Sequence, residues 1–198
     1  MIDLNDLLEQ VWPMATQQAV PTESVSLNSA LGRVLAQDVF SSLNVPQHDN
    51  SGMDGYAVCC TDIQPSRRFQ VSQRVPAGAS PQPLQPGTVA RIFTGAPIPP
   101  GADSVVMQED VVVNDDGSVT FSALPKSGQW IRRAGEDIAS GQVVLSQGTR
   151  LDAIHVGLLA SIGVPTVSVN RRLKVGVMVT GSELQSPGQA LQPGQIYN

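Results

Sequence analysis

A few short segments hold the side chains able to do chemistry. In Ser51-Gly52-Met53-Asp54-Gly55-Tyr56-Ala57 a single carboxylate stands between two glycines. Glycine lets the backbone come close to a bound group, so Asp54 can point out of a turn at an ion or ligand. An ordinary Asp-Gly turn leading into a strand accounts for the same residues. The stretch from Arg91-Ile92-Phe93-Thr94-Gly95-Ala96-Pro97 to Asp103 reads as a strand followed by a stiff Pro/Gly turn. It offers the Thr94 hydroxyl and the exposed amides of Thr94 and Gly95, uncharged donors able to hold an oxyanion. The competing account is a connection chosen for its fixed backbone angles. Ile131-Arg132-Arg133-Ala134-Gly135-Glu136-Asp137-Ile138 sets two arginines and two acids around a glycine. That mixture suits phosphate binding, or Mg2+ held through carboxylate oxygens, with ion pairing inside the segment as the alternative. A last acid, Glu183, follows an apolar run in Thr180-Gly181-Ser182-Glu183 and either faces a ligand crevice or begins a loop.

Other reactive residue types carry less. His48 and His155 have no Cys or His neighbour at metal spacing, and His155 falls within a helical pattern, so packing or surface roles are expected for both. Glu109 and Asp110 stand at a strand end, where adjacent acids are commonly solvated. The only cysteines, Cys59 and Cys60, are adjacent and ill placed for an ordinary disulfide. They read as small hydrophobes on a strand after the Asp54 turn, in a reduced cytoplasmic setting.

The elements that must position these residues fall into three stretches. Asp3 can cap a helix in which Leu4, Leu7, Leu8 and Val11 make one apolar stripe for packing, until Pro13 bends or ends it. A short helix over Leu27–Leu31, stopped by Gly32, precedes an alternating run from Arg33 to Val39. From about Val45 to Val144 short β-prone runs alternate with turns: Phe69–Ser72, Val89–Phe93, Ser104–Met107, and a hairpin with Asn114–Gly117 as its loop. Leu151–Ile162 turns helical again, with Asp152 near its start and Gly163 as its stop. Leu173-Lys174-Val175-Gly176-Val177-Met178-Val179 reads as a strand of a parallel sheet buried on both faces. One strand cannot complete a Rossmann-like sheet, so the chain is expected to be a fragment of a longer protein.

With 198 residues and 41% hydrophobic content the chain can bury one or two cores, which excludes wholesale disorder. The net charge of -5 and the absence of a basic cluster argue against nucleic acid or anionic membranes as partners. The acidic start at Met1-Ile2-Asp3-Leu4 has no signal-peptide pattern, and no run approaches a membrane span.

Taken in order, Asn50–Ala57, Arg91–Pro97, Ile131–Asp137 and Gly194-Gln195-Ile196-Tyr197-Asn198 closely resemble MoeA and the gephyrin E domain, over nearly the whole chain. The resemblance implies a mixed α and β fold. A helical linker or dimerisation part, residues 1–44 and 145–171, would carry an inserted β-rich domain, 45–144, followed by the truncated start of an α/β molybdopterin-binding domain, 172–198. It implies a cytoplasmic homodimer, downstream of a molybdopterin adenylyltransferase, that inserts molybdate into adenylylated molybdopterin with Mg2+-dependent release of AMP. The family's site lies in a cleft between the β domain of one subunit and the pterin-binding domain of the other. Matching positions make Asp54, Thr94, Asp137 and Glu183 the site residues. Asp54 and Asp137 would position metal or molybdate, Thr94 and Gly95 would bind an oxyanion or phosphate, and Glu183 would face the pterin. Ser182 stands where the family often has an acid, which removes one possible ligand. The phosphate loop of the pterin domain is expected beyond Asn198, so the fragment alone is expected to be inactive. The competing functions are a noncatalytic dimerisation scaffold of the gephyrin type and an unrelated sugar- or nucleotide-binding β domain.

Overall fold

The computed structural model describes residues 3–17 and 20–198; Met1 and Ile2, part of the opening read as lacking a signal, lie outside the described residues. In chain order the elements are α1 (Leu4–Gln17), β1 (Thr22–Ser26), β2 (Val39–Phe40), β3 (Asn50–Ser51), β4 (Gly55–Val58), β5 (Arg68–Phe69), β6 (Val71–Val75), β7 (Val89–Ile92), β8 (Ser104–Met107), β9 (Val111–Val113), β10 (Val119–Phe121), β11 (Ile131–Arg132), β12 (Val143–Leu145), α2 (Ala153–Ser161), β13 (Thr166–Asn170), β14 (Leu184–Gln185) and β15 (Ile196–Tyr197). The fold is mixed and mostly β, with two α-helices among the described residues. It divides into two units: Ser24–Val169, and the described residues through Glu23 together with Asn170–Asn198.

The larger unit is organised by β4. This strand lies between β7 and β8 in a sheet of order β6-β7-β4-β8, antiparallel to both neighbours. All four of its residues are buried. Because successive side chains alternate in direction, Tyr56 and Val58 enter one core with Ile63, Phe69, Val89, Val106, Val119 and Phe121. Ala57 enters a second with Val75, Ala90, Ile92, Ala96 and Val105. A strand covered on both faces needs apolar residues at every position, which is why Tyr56-Ala57-Val58 shows no polar alternation. Gly55 opens the strand because a Cβ there would stand 1.9 Å from the Val106 carbonyl oxygen. The second sheet, β5-β10-β9, is closed by the expected hairpin, with Val113 opposite Val119 and Asn114 donating its N–H to the Ser118 carbonyl at 2.8 Å. The Phe69 and Phe121 rings meet between the sheets at 5.6 Å.

A third core gathers Ala30, Leu35, Leu151, Leu159, Ile162, Val167 and Val169. Asp152 caps α2: its carboxylate accepts the His155 N–H at 2.9 Å, while the His155 ring nitrogen Nδ1 accepts the Asp152 N–H at 3.3 Å. His155 is therefore a capping residue. Gly32 and Gly163 both have positive φ after their helical turns. The helix expected over Leu27–Leu31 shortens to a 3-10 turn at Leu27–Ser29. The strand expected from Arg33 forms only single bridges, Val34 to Arg150 and Leu35 to Val169, before β2. Cys59 is extended as expected, but Cys60 starts a 3-10 turn rather than continuing β4.

In the smaller unit, Asp3 caps α1 by accepting the Asn5 N–H at 2.8 Å, and the helix continues past Pro13 to Gln17. Its stripe of Leu4, Leu7, Leu8 and Val11 faces solvent, where packing was expected. The strand expected at Leu173–Val179 is absent: residues 171–181 have no regular structure, and Val177 and Met178 are 84% and 88% exposed. A parallel strand is stable only when neighbouring strands take its amides and carbonyls, and none of the described strands pairs with this run. The unit's sheet is a short parallel pair, β14 with β15.

Candidate functional site

Three of the motifs converge on β3. Its Ser51 N–H donates to the Ala96 carbonyl at 2.9 Å, and the Ser51 carbonyl accepts the Gly95 N–H at 2.8 Å, which fastens the Thr94 turn to one side. On the other side β11 pairs antiparallel, Ile131 with Ser51 and Arg132 with Asn50, and Gly52 donates to the Trp130 carbonyl at 2.8 Å. The Ser51 hydroxyl donates to the Met53 carbonyl at 2.5 Å, starting the turn that presents Asp54.

Asp54 and Thr94 are in direct contact. The Thr94 N–H and the Thr94 hydroxyl both donate to Oδ1 of Asp54, each at 2.7 Å. These two bonds, backbone first, hold the Asp54 carboxyl below its ordinary pKa, with the nearby Arg91 charge adding to them. Among the described residues Oδ2 of Asp54 has no protein donor, so the side chain keeps its full charge and one open oxygen. The expected amide cradle at Thr94 and Gly95 is not open: the first amide serves Asp54 and the second serves the Ser51 carbonyl. A turn with φ +80 at Gly95 aims both N–H groups inward at the neighbouring loop.

Asp137 has a different partner. Arg132 donates to its Oδ1 at 2.5 Å and approaches Glu136 at 3.8 Å. The hydrogen bond that Arg132 donates to Asp137 raises the Arg132 pKa above its ordinary value. The Asp137 backbone N–H donates to the Val45 carbonyl at 2.9 Å and Gly135 to that of Pro46 at 3.0 Å. Asp49, which the sequence reading passed over, completes the clamp: Oδ1 accepts the Ala134 N–H at 2.9 Å and Oδ2 accepts Arg133 at 2.5 Å. The Ala134 amide holds the Asp49 carboxyl below its ordinary pKa, opposed in part by burial, with Arg133 adding to the amide. Its only signal in the sequence is its position directly before Asn50.

Beside the Gly95 turn lies a hollow of about 310 Å3 walled by Gln47, His48, Asn50, Gly78, Ala79 and Pro97. Cys60 is outside this region. Burial, and then Asp103, push its thiol up to about 11, so it stays protonated and inert at neutral pH. In the smaller unit, Glu183 is exposed in the turn before β14, its carbonyl accepting the Ile196 N–H at 2.8 Å. Among the described residues no three His, Cys, Asp or Glu side chains gather so as to hold a metal ion by themselves.

Comparison with known proteins fits this arrangement. A model of the MoeA N-terminal region (domain I and II) matches residues 2–163. The molybdopterin molybdenumtransferase of Haemophilus influenzae is 49% identical over 97% of this chain and 46% of its own length. That of Nostoc is 43% identical over 89% of this chain and 42% of its own. A solved structure described as the molybdopterin biosynthesis MoeA protein of Pyrococcus horikosii superposes with a TM-score of 0.86 at 34% identity, over 96% of this chain and 51% of that one. The chain thus spans about half the length of the relatives it matches. With the family model covering most of its length and the Asp54, Thr94 and Asp137 motifs joined at β3, the chain belongs to the MoeA N-terminal family.

Proposed function

We propose that the longer protein of which this chain is the N-terminal half inserts molybdate into adenylylated molybdopterin, with release of AMP. The observation that carries this reading is the Asp54–Thr94 pair, a half-buried carboxylate held ionised by neutral donors and left with one open oxygen. Such a group can orient a cation or a protonated oxyanion without itself becoming a nucleophile. Thr94 keeps Asp54 deprotonated and fixed, and its hydroxyl oxygen retains lone pairs for a ligand. The Arg132–Asp137 pair, tied down by Asp49 and Val45, presents a guanidinium edge beside the same β3 segment. Arg132 attracts phosphate or molybdate while Asp137 orients it. Glu183 contributes to the pterin-facing side.

Mg2+ commonly binds through one or two carboxylates, with waters and substrate phosphates filling its remaining positions. Asp54 fits that mode through Oδ2; Asp137 does not while paired with Arg132. Bound at Asp54, the ion would neutralise charge on the phosphoanhydride.

The expected domain arrangement is proposed on the same footing. The core formed by Ala30, Leu35, Leu151, Leu159 and Val169 is drawn from both sides of the β-rich stretch, which supports an insertion. The solvent-facing stripe of α1 supports a homodimer. No described helix is long and apolar enough to cross a membrane; the proposed setting is the cytoplasm, where a molybdopterin adenylyltransferase would supply the substrate. The test is reconstitution with the full-length protein, adenylylated molybdopterin, molybdate and Mg2+. Molybdate-dependent AMP release that collapses in Asp54→Ala is expected. No turnover by a well-folded full-length protein refutes the reading in favour of a scaffold.

A further inference from the structure

The sheet that carries the Asp54 turn places two arginines side by side. In the parallel pairing of β6 with β7, Arg74 is the register partner of Arg91. Like charges directly opposite one another across a strand pair are unfavourable, so something must offset them. Both guanidinium carbons stack on Phe93, at 4.5 Å for Arg74 and 4.6 Å for Arg91, and Arg91 also lies 5.3 Å from the Tyr56 ring. A ring face attracts a cation but cancels none of its charge. Arg91 donates to the Gly55 carbonyl at 2.8 Å, the Ile92 carbonyl at 3.2 Å and Oε1 of Gln108 at 2.6 Å, all neutral acceptors. Arg74 is exposed and, among the described residues, makes no hydrogen bond or ion pair. By contrast Arg68, Arg132 and Arg133 each have a carboxylate partner.

The place of this pair is informative. Phe93, the ring that holds both guanidinium groups, directly precedes Thr94, and Arg91 anchors the carbonyl of Gly55, directly after Asp54. An anionic substrate drawn to this turn meets the Asp54 carboxylate and needs positive charge next to it. Two adjacent guanidinium groups with unspent N–H donors suit the oxygens of a tetrahedral anion.

We propose that Arg74 and Arg91, stacked on Phe93, form a docking point for a tetrahedral oxyanion beside the Asp54 turn. The inference deepens the transferase reading and rests on it for the origin of the anion, either free molybdate or a nucleotide phosphate. Arg91 is held by three neutral oxygens, and Arg74, stacked on Phe93 and without a hydrogen bond or ion pair among the described residues, offers its N–H donors to the ligand.

Calorimetric titration of the 198-residue chain at constant ionic strength tests this, with molybdate in one arm and AMP in the other. Saturable binding of at least one is expected, and the tighter of the two identifies the source of the oxyanion. Arg74→Gln should weaken it about ten-fold, the size of one lost charged hydrogen bond. Arg74→Lys, which keeps the charge, should weaken it less. Arg68→Gln, at an exposed arginine already paired with Asp116, should leave it unchanged. No saturable binding by the unsubstituted chain, equal binding by Arg74→Gln, or an equal loss in Arg68→Gln each overturns the proposal. The two readings fail separately. Arg74-dependent anion binding without molybdate-dependent AMP release by the full-length protein refutes the transferase alone. AMP release with anion binding indifferent to Arg74 refutes the docking point alone.

Discussion

The turn at Asp54 and the segment around Asp137 both present an exposed-side carboxylate on loops joined to β3, yet they hold it in opposite ways. Thr94 supplies two neutral donors to Asp54, so the acid keeps its negative charge and an open oxygen. Arg132 supplies a cation to Asp137, so that pair is close to neutral and its charge is spent locally. The same residue type therefore serves as a free charge in one loop and as half of an ion pair in the other. Hydrogen-bond satisfaction by neutral groups preserves electrostatic reach, whereas ion pairing trades it for orientation.

The comparison can be broken most directly by activity. In the full-length protein Asp54→Ala should reduce molybdate-dependent AMP release on the order of 1000-fold, the upper range for loss of a fixed charge at a reacting centre. Asp137→Ala should cost about ten-fold, as for a group that orients another. Equal losses would show that both acids act in the same way.

The frameworks behind the two loops should differ in stiffness. Gly55→Ala drives a Cβ against the Val106 carbonyl and should lower unfolding stability by about 3 kcal/mol, read from the urea midpoint of the chain. An unchanged midpoint would mean that β4 and β8 separate easily, and that Asp54 is not rigidly held.

Titration sharpens the contrast further. Because the folded pKa of Asp54 lies below its unfolded value, the stability it contributes is fully present above the unfolded pKa and is lost as pH falls through the lower folded one. A carbon NMR titration of Asp54 should show ionisation persisting below the ordinary aspartate pKa. Thr94→Val removes the hydroxyl but keeps the stronger backbone donor, so the pKa should rise only part of the way to the ordinary value. A full return would assign the whole effect to the hydroxyl. The smallest effect belongs to Arg132→Gln. Its pair with Asp137 is solvent-exposed, and such pairs contribute little to stability, so the urea midpoint should barely move.

Much of the fold was legible in the residues. The hairpin at Asn114–Gly117, the helix start near Asp152 and the strands around Val89 and Ser104 all follow from local turn and pattern rules, and all are present. The run Leu173–Val179 was misread for a physical reason: an apolar run makes a strand only where neighbours complete its hydrogen bonds, and pattern alone cannot supply them. The stripe of α1 formed as its spacing required, but spacing says nothing about what covers it. The motif residues were singled out by their types and order, while Asp49 and the arginine pair at Phe93 were not. Their partners, Ala134 and Arg133 for Asp49 and Arg74 for Arg91, are distant in sequence and announce themselves only in the register.

From sequence alone came the elements whose causes are local, namely turns, caps and short strands, together with the family whose motifs recur in order along the chain. Tertiary structure alone decided which donors meet which acceptors. The Thr94 amide turns inward to a carboxylate 40 residues earlier, the Asp137 charge is spent on Arg132, and the guanidinium of Arg74, beside Arg91, meets no carboxylate among the described residues. Backbone preference is settled within a few residues, but the satisfaction of a charge depends on whatever the whole fold brings within about 3 Å of it.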